Sequence, residues 1–383
     1  MQQHRVRVRA AGLAAERKSG FLRTRFEKVD HGINGLGLVP YLAAHRAASK
    51  NRQKRTMDAM HNGYANVFVN TQVLAPGRQN VDLGTTVTGI RFANPFLLAS
   101  GILDETGASM ARAVREGAGG VVTKSMSLQP RMGHRGPNVV EVAGGLINAM
   151  GLPGPGLTHF REEVEVAKQG GAILIGSIFG GSPEEFAAAA EKMTSLGVQG
   201  LELNVSCPHA KGYGSEIGCD PNRLSSVTAA VKDATALPVW VKLTPNTHDI
   251  VALGRAAVES GADALVATNT LKAIAIEPDV RMPVLGNHVG GLSGHALKPV
   301  ALRAVWDLHA AELEVPIIAS GGIYTGRDIL EFAMAGASAF QIGTAVMHRG
   351  WDVFRELNAE VTAWLERENT TLVQVTGAAH PAG

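Results

Sequence analysis

The residues Asn204-Val205-Ser206-Cys207-Pro208-His209 close an apolar, alternating run, Gly200-Leu201-Glu202-Leu203-Asn204, and open a loop through Gly212, Gly214 and Gly218. A thiol is thereby set at the mouth of a strand, where α/β folds place their chemistry. Such a thiol can be an inert buried side chain, a nucleophile or metal ligand, or a general base. No His/Cys ligand spacing surrounds Cys207, so a metal is not expected. Cys219 reads as a loop or helix-entry residue.

Two lysines emerge from apolar runs, Lys124 in Thr-Lys-Ser and Lys242 in Val-Lys-Leu-Thr-Pro-Asn. A buried ammonium needs an anionic or electron-rich partner, which a flavin, a substrate carboxylate or a carboxylate of the protein itself would supply. Asn148, Asn204 and Asn269 recur at strand ends. An amide both donates and accepts, so a ring of three suits a ligand edge that alternates C=O and N–H, as uracil-like rings do. Ala319-Ser320-Gly321-Gly322-Ile323 and Gln341-Ile342-Gly343-Thr344-Ala345 are glycine turns at the ends of two further runs. Their backbone N–H groups can approach an anion without a Cβ in the way, which makes a phosphate cradle.

These residues need a frame. Eight short β-branched runs alternate with amphipathic stretches: Pro95–Gly101, Gly119–Ser125, Ala172–Gly180, Gly200–Cys207, Pro238–Asn246, Ala264–Thr270, Pro316–Gly322 and Ala339–Ala345. They span 251 residues, close to the roughly 250 of an α/β (β/α)8 TIM barrel. Helices are expected over Pro183–Leu196, Pro221–Thr235, Asp249–Ser260 and Pro299–Leu313, several opened by proline at the first position. The connections Met126–Gly171 and Leu271–Lys298 are longer than a barrel requires and are expected to roof a pocket on the face that carries Cys207.

Of 383 residues, 45% are hydrophobic and 18% charged, and no apolar run of membrane-spanning length occurs. Two cysteines in the whole chain are too few for a disulfide framework and point to a reducing compartment, the cytoplasm. Residues 1–56 carry 13 Lys/Arg against three acids, a net of +10, whereas residues 57–383 carry a net of −8. The first segment reads as a basic leader, disordered or a non-native start, with an organelle transit peptide and a nucleic-acid tail as alternatives. Residues 57–80 read as a linker and 81–383 as the barrel. Neither nucleic acid nor membrane is an expected partner of that barrel.

The motifs Leu98-Ala99-Ser100-Gly101, Val122-Thr123-Lys124-Ser125, Asn148-Ala149-Met150-Gly151-Leu152, Asn204-Val205-Ser206-Cys207-Pro208 and Gly290-Gly291-Leu292-Ser293-Gly294 resemble those of the FMN-dependent dihydroorotate dehydrogenases of class 1, most closely the class 1B catalytic subunit. The resemblance runs from about Asp82 to Met347. It implies oxidation of (S)-dihydroorotate to orotate in pyrimidine biosynthesis, with Cys207 as the base. It implies FMN held by Ser100, Lys124, Ser125, Asn204, Lys242, Gly294, Gly321, Gly322, Gly343 and Thr344. Substrate would meet Lys124, Asn148, Ala149, Met150, Gly151, Leu152, Asn204, Asn269 and Thr270. The loop from Pro208 to Asp220 resembles the family's lid.

Class 1B further implies a partner subunit carrying FAD and a [2Fe–2S] cluster that passes electrons to NAD, in a homodimer or heterotetramer. Two departures stand out, because many class 1 members have Asn where His209 and Gly154 stand. The chain is also similar to the pyrimidine-reducing domain of dihydropyrimidine dehydrogenase and, in its strand-end Cys-Pro, to tRNA-dihydrouridine synthases. The latter need a C-terminal helical domain, and only 38 residues follow Ala345.

Overall fold

The computed structural model describes residues 81–205 and 217–381. The basic leader, the linker over 57–80, and Cys207 with Ser206, Pro208 and His209 lie outside the described residues, as does most of the expected lid.

Eight parallel strands close a barrel in sequence order: β1 (Phe96–Leu98), β2 (Gly120–Val122), β3 (Leu174–Ile178), β4 (Gly200–Asn204), β5 (Val239–Leu243), β6 (Ala264–Ala267), β7 (Ile317–Ser320) and β8 (Ala337–Ile342). Each falls within or against one of the eight expected runs. The last starts two residues earlier than expected and stops at Ile342, because Gly343 turns out of the strand and Thr344 opens a helix. Barrel closure comes from β8 lying on β1, with Phe340 opposite Phe96 and Gln341 opposite Leu97.

Around the barrel run α1 (Gly107–Arg115), α2 (Arg161–Gln169), α3 (Pro183–Thr194), α4 (Pro221–Ala234), α5 (Ile250–Glu259), α6 (Lys298–Ala310), α7 (Gly326–Met334), the short α8 (Thr344–Arg349) and α9 (Val353–Glu368). Their starts are written in the sequence. Ser182, Asp220 and Asp249 each accept a backbone N–H of the first turn, a cap worth about 1 kcal/mol. Pro183 and Pro221 follow their caps directly, where the missing N–H costs nothing.

Strand alternation sorts side chains between two cores. Leu201, Leu203, Val241, Leu243, Phe340 and Ile342 face the helices, while Leu97, Val122, Ile175, Trp240, Val266 and Ile318 fill the barrel. A hairpin, Thr85–Val87 with Ile90–Phe92, plugs the N-terminal end by adding Val87, Ile90 and Phe92 to that interior. Trp240 Nε1 donates to Thr88 Oγ1 at 2.9 Å and ties the plug to the wall. Each such buried aliphatic or aromatic side chain contributes about 1.5–3 kcal/mol. With one end stopped, the C-terminal mouth is the open end of the barrel among the described residues.

The two long connections form one sheet. Strands Leu271–Ile274, Val289–Ser293, Gly145–Asn148 and Val139–Val142 pair in that order, all antiparallel, with Gly291 opposite Asn148. The glycines of Gly290-Gly291 are what permit the approach, since a Cβ on Gly291 would lie 2.1 Å from Thr270 Oγ1. Asn148 therefore ends a strand of this roof rather than of the barrel. Among the described residues no helix is long and apolar enough to cross a membrane.

Candidate active site

A cavity of about 330 Å³ opens at the C-terminal mouth of the barrel beneath this roof. From the barrel strands and their loops it is lined by Ser100, Lys124, Ser125, Asn204, Lys242, Asn269, Thr270, Gly321, Gly322, Gly343 and Thr344, and from the roof side by Asn148, Met150, Gly151, Leu152 and Gly294. All of these stand out in the sequence. Ala149 is the exception: it does not line the cavity but is fully buried against Ile147 and Leu285. The cause is alternation along the segment, which sends Asn148 and Met150 one way and the intervening methyl the other. Gly154 also lies away from the cavity, paired with Arg131 through N–H···O bonds of 2.9 and 3.0 Å.

A chain of hydrogen bonds crosses the mouth. Asn269 Nδ2 donates to Asn204 Oδ1 at 3.1 Å, and Asn204 Nδ2 donates to Ser125 Oγ at 3.0 Å. Ser125 Oγ in turn lies 3.2 Å from Ser100 Oγ and 2.8 Å from Ser177 Oγ. These contacts fix the amide rotamers, so the groups left over for a ligand are set in advance. Asn148 Nδ2 donates to Gly291 O at 3.3 Å across the roof sheet.

Both buried lysines have carboxylates of the chain beside them. Lys124 Nζ lies 3.1 Å from Glu105 Oε1. Next to Glu105 is Asp104, fully buried, whose Oδ2 accepts the Gly101 N–H at 2.6 Å. Burial pushes the Asp104 carboxyl up to about 6 against the opposing pull of Lys124 and of its backbone donors. Lys242 Nζ donates to Gln341 Oε1 at 2.8 Å and stands 3.5 Å from Glu202 Oε1, while Gln341 Nε2 donates to Glu202 Oε2 at 2.5 Å. Sequence reasoning missed Asp104, Glu105, Glu202 and Gln341. A signal existed for two of them, because Glu202 in Leu-Glu-Leu and Gln341 in Phe-Gln-Ile are polar residues between apolar neighbours in strands.

The glycine turns are held from behind. Gly321 and Gly322 have φ of +125° and +76°, and a Cβ on Gly322 would meet the Lys298 backbone N at 2.6 Å. Lys298 opens α6 and reaches Asp328 at 2.5 Å and Glu331 at 2.7 Å. Burial lowers its pKa, but these two acids outweigh that and raise it. Asp328 also forms a capping box with Thr325 at the start of α7 and accepts the Tyr324 N–H. At the rim, Tyr324 Oη lies 2.9 Å from His348 Nδ1.

The arrangement fits a flavin. A glycine cradle sits at the ends of β7 and β8, the usual phosphate site of this fold, and buried ammonium groups sit deeper in the barrel. Two cavity residues have a buried oxygen with no hydrogen-bond partner among the described residues, Thr268 Oγ1 and Glu202 Oε1. Among the described residues no cluster of His, Cys, Asp and Glu is suited to a metal ion.

Comparison with known proteins agrees with this geometry. A family model described as "Dihydroorotate dehydrogenase" matches residues 82–365. A Thermococcus kodakarensis protein named "Dihydroorotate dehydrogenase B (NAD(+)), catalytic subunit" is 54% identical over 292 residues, 76% of this chain and 96% of the relative. A Methanocaldococcus jannaschii protein of the same name is 48% identical over 302 residues, 78% of this chain and 98% of the relative. In fold, the chain is similar to ligand-free DHODH of Eimeria tenella, with a TM-score of 0.70 at 24% identity, covering 80% of this chain and 94% of that one. Barrel, cavity and sequence lead to one statement: the chain belongs to the dihydroorotate dehydrogenase family, beside the catalytic subunits of its B class.

Proposed function

We propose that the chain oxidises (S)-dihydroorotate to orotate in pyrimidine biosynthesis, in the cytoplasm, as the catalytic subunit of an assembly that delivers the electrons to NAD. The observation that carries this reading is the polar ring of Lys124, Asn148, Asn204 and Asn269 around one cavity, in a chain about half identical to proteins of that name. The amides match the alternating C=O and N–H edge of the pyrimidine ring, and an ammonium matches its carboxylate.

FMN would be held by Ser100, Lys124, Ser125, Asn204, Lys242 and Gly294, with the N–H groups of Gly321, Gly322, Gly343 and Thr344 toward its phosphate. When bound it supplies the two-electron acceptor. Cys207 takes the proton from C5 of dihydroorotate, so that the C5–H pair becomes the new C5=C6 bond while C6 gives up its hydrogen with two electrons. The Asn204–Ser125 and Asn269–Asn204 bonds hold the amides so that C6 and C5 are presented in one pose. With two cysteines in the whole chain, an iron–sulfur cluster needs another subunit. A partner with FAD and a [2Fe–2S] centre, in a heterotetramer, meets that need.

Anaerobic titration with dihydroorotate and with dihydrouracil in parallel tests the substrate. Dihydroorotate is expected to bleach the flavin absorbance, and bleaching by dihydrouracil alone would move the chain to pyrimidine reduction. Cys207→Ser is expected to keep the flavin and to slow its reduction by about 10²–10⁴-fold at neutral pH. The wild-type rate should rise with pH, since a free thiol titrates near about 8.5. An unchanged rate in stopped flow removes Cys207 from the mechanism.

A further inference from the structure

The floor of the cavity carries a buried carboxylate that the proposed chemistry does not use. Glu202 on β4 is fully buried, and Lys242 on β5 and Gln341 on β8 are nearly so. β4 and β5 are neighbours, with Asn204 opposite Lys242, whereas β8 reaches them only across the barrel interior. Gln341 spans that gap with both ends of its amide. Its Oε1 accepts from Lys242 Nζ at 2.8 Å, and its Nε2 donates to Glu202 Oε2 at 2.5 Å. The same barrel interior carries the apolar side chains of Trp240, Val266, Ile318 and Ala339.

A carboxylate taken fully out of water is costly, and a bond to one neutral amide does not offset the cost. The second oxygen of Glu202, Oε1, has no hydrogen bond among the described residues and stands 3.5 Å from Lys242 Nζ. A wall built only for packing would carry an aliphatic residue here, as Leu201 and Leu203 do on the other face of the same strand. What Glu202 does offer is a fixed negative charge that offsets the ammonium of Lys242 where both border the cavity. In a low-dielectric floor such a charge is felt strongly by any group above it.

We propose that Glu202, tied across the barrel by Gln341, is a positioning residue that partly neutralises Lys242 and thereby sets the reduction potential of the bound flavin. This rests on the flavin reading of the cavity. Two electrons and one proton leave a reduced flavin with one negative ring charge, which Lys242 favours and Glu202 opposes. The pair thus holds the potential below the value that the lysine alone would give.

The test is Glu202→Gln, which removes the charge and keeps the shape and the bond to Gln341. The potential of the purified flavoprotein is read against a reference dye during slow reduction by xanthine and xanthine oxidase. The equilibrium constant for reduction is expected to rise at least tenfold, an upward shift of about 30 mV for a two-electron couple. Glu202→Asp keeps the charge but draws it back by one methylene, and is expected to shift the potential in the same direction by less. It also stands in for Glu202→Gln should that variant not fold.

A wild-type or lower potential in Glu202→Gln overturns the proposal, as does a wild-type potential in Glu202→Asp. Loss of flavin content and melting temperature, with the potential of the remaining flavin unchanged, would mark Glu202 as structural and also overturn it. A wild-type protein without flavin absorbance would instead sink the flavin reading itself, so the two failures are distinct.

Discussion

Asp104 shows how one buried carboxyl links the site to stability. It is fully buried, has one oxygen without a hydrogen-bond partner among the described residues, and holds the Gly101 N–H with the other. Burial raises its pKa from 3.8 to about 6. The native state therefore binds this proton more tightly than the unfolded chain. The stabilising contribution is full below 3.8, declines as pH rises, and is lost above about 6. Asp104→Asn removes that dependence. Relative to wild type it should gain stability between pH 4 and pH 7, by about 3 kcal/mol, since each tenfold difference in proton affinity between the folded and unfolded chain is worth about 1.4 kcal/mol. Urea melts of both proteins across this range provide the check, and parallel stability curves would show that the Asp104 carboxyl does not titrate as argued.

At the scale of elements, the β7 turn is a tight junction rather than a flexible loop. Gly322 has φ of +76°, and its α-carbon faces the backbone of Lys298, which is anchored by Asp328 and Glu331. Gly322→Ala must strain the turn and push the start of α6, at about 1–3 kcal/mol, and should also lower the flavin-to-protein ratio. Gly171→Ala is the matched control, because Gly171 has φ of +83° but nothing within 4 Å of a new Cβ. It should lose some stability and keep its flavin. Equal flavin content in both variants would show that the turn does not hold the phosphate.

The same scale explains what was legible in the sequence. The barrel strands and the four expected helices were readable because periodicity and capping are local: Pro221 after Asp220 needs no knowledge of the rest of the chain. The cavity residues were readable where motif and strand end coincide, as at Lys124, Asn204 and Gly321. The roof sheet was not, since Asn148 pairs with Gly291 across 143 positions, in strands of four and five residues. Nor was the Glu202–Gln341 bond, whose partners are 139 positions apart and meet only once the barrel closes. Ala149 was expected beside its neighbours because a motif names consecutive residues, while an extended segment presents alternate ones and leaves this methyl outside the cavity.

The whole molecule divides by charge at its basic leader. Residues 1–56 carry a net of +10 and the remainder a net of −8, and the family match begins only at residue 82. The match to the Thermococcus protein takes in 76% of this chain and 96% of that protein. The barrel has its own core, plugged at one end by the hairpin over Thr85–Val87 and Ile90–Phe92. Among the described residues, those that line the cavity lie between Ala99 and Met347. Removing residues 1–56 should therefore leave flavin content, melting temperature and dihydroorotate turnover unchanged, while shifting the formal net charge from +2 to −8. Adsorption to a cation-exchange resin at neutral pH should be lost with the leader, as expected if the basic character is confined to it. Loss of both flavin and turnover on truncation would place the leader inside the catalytic unit.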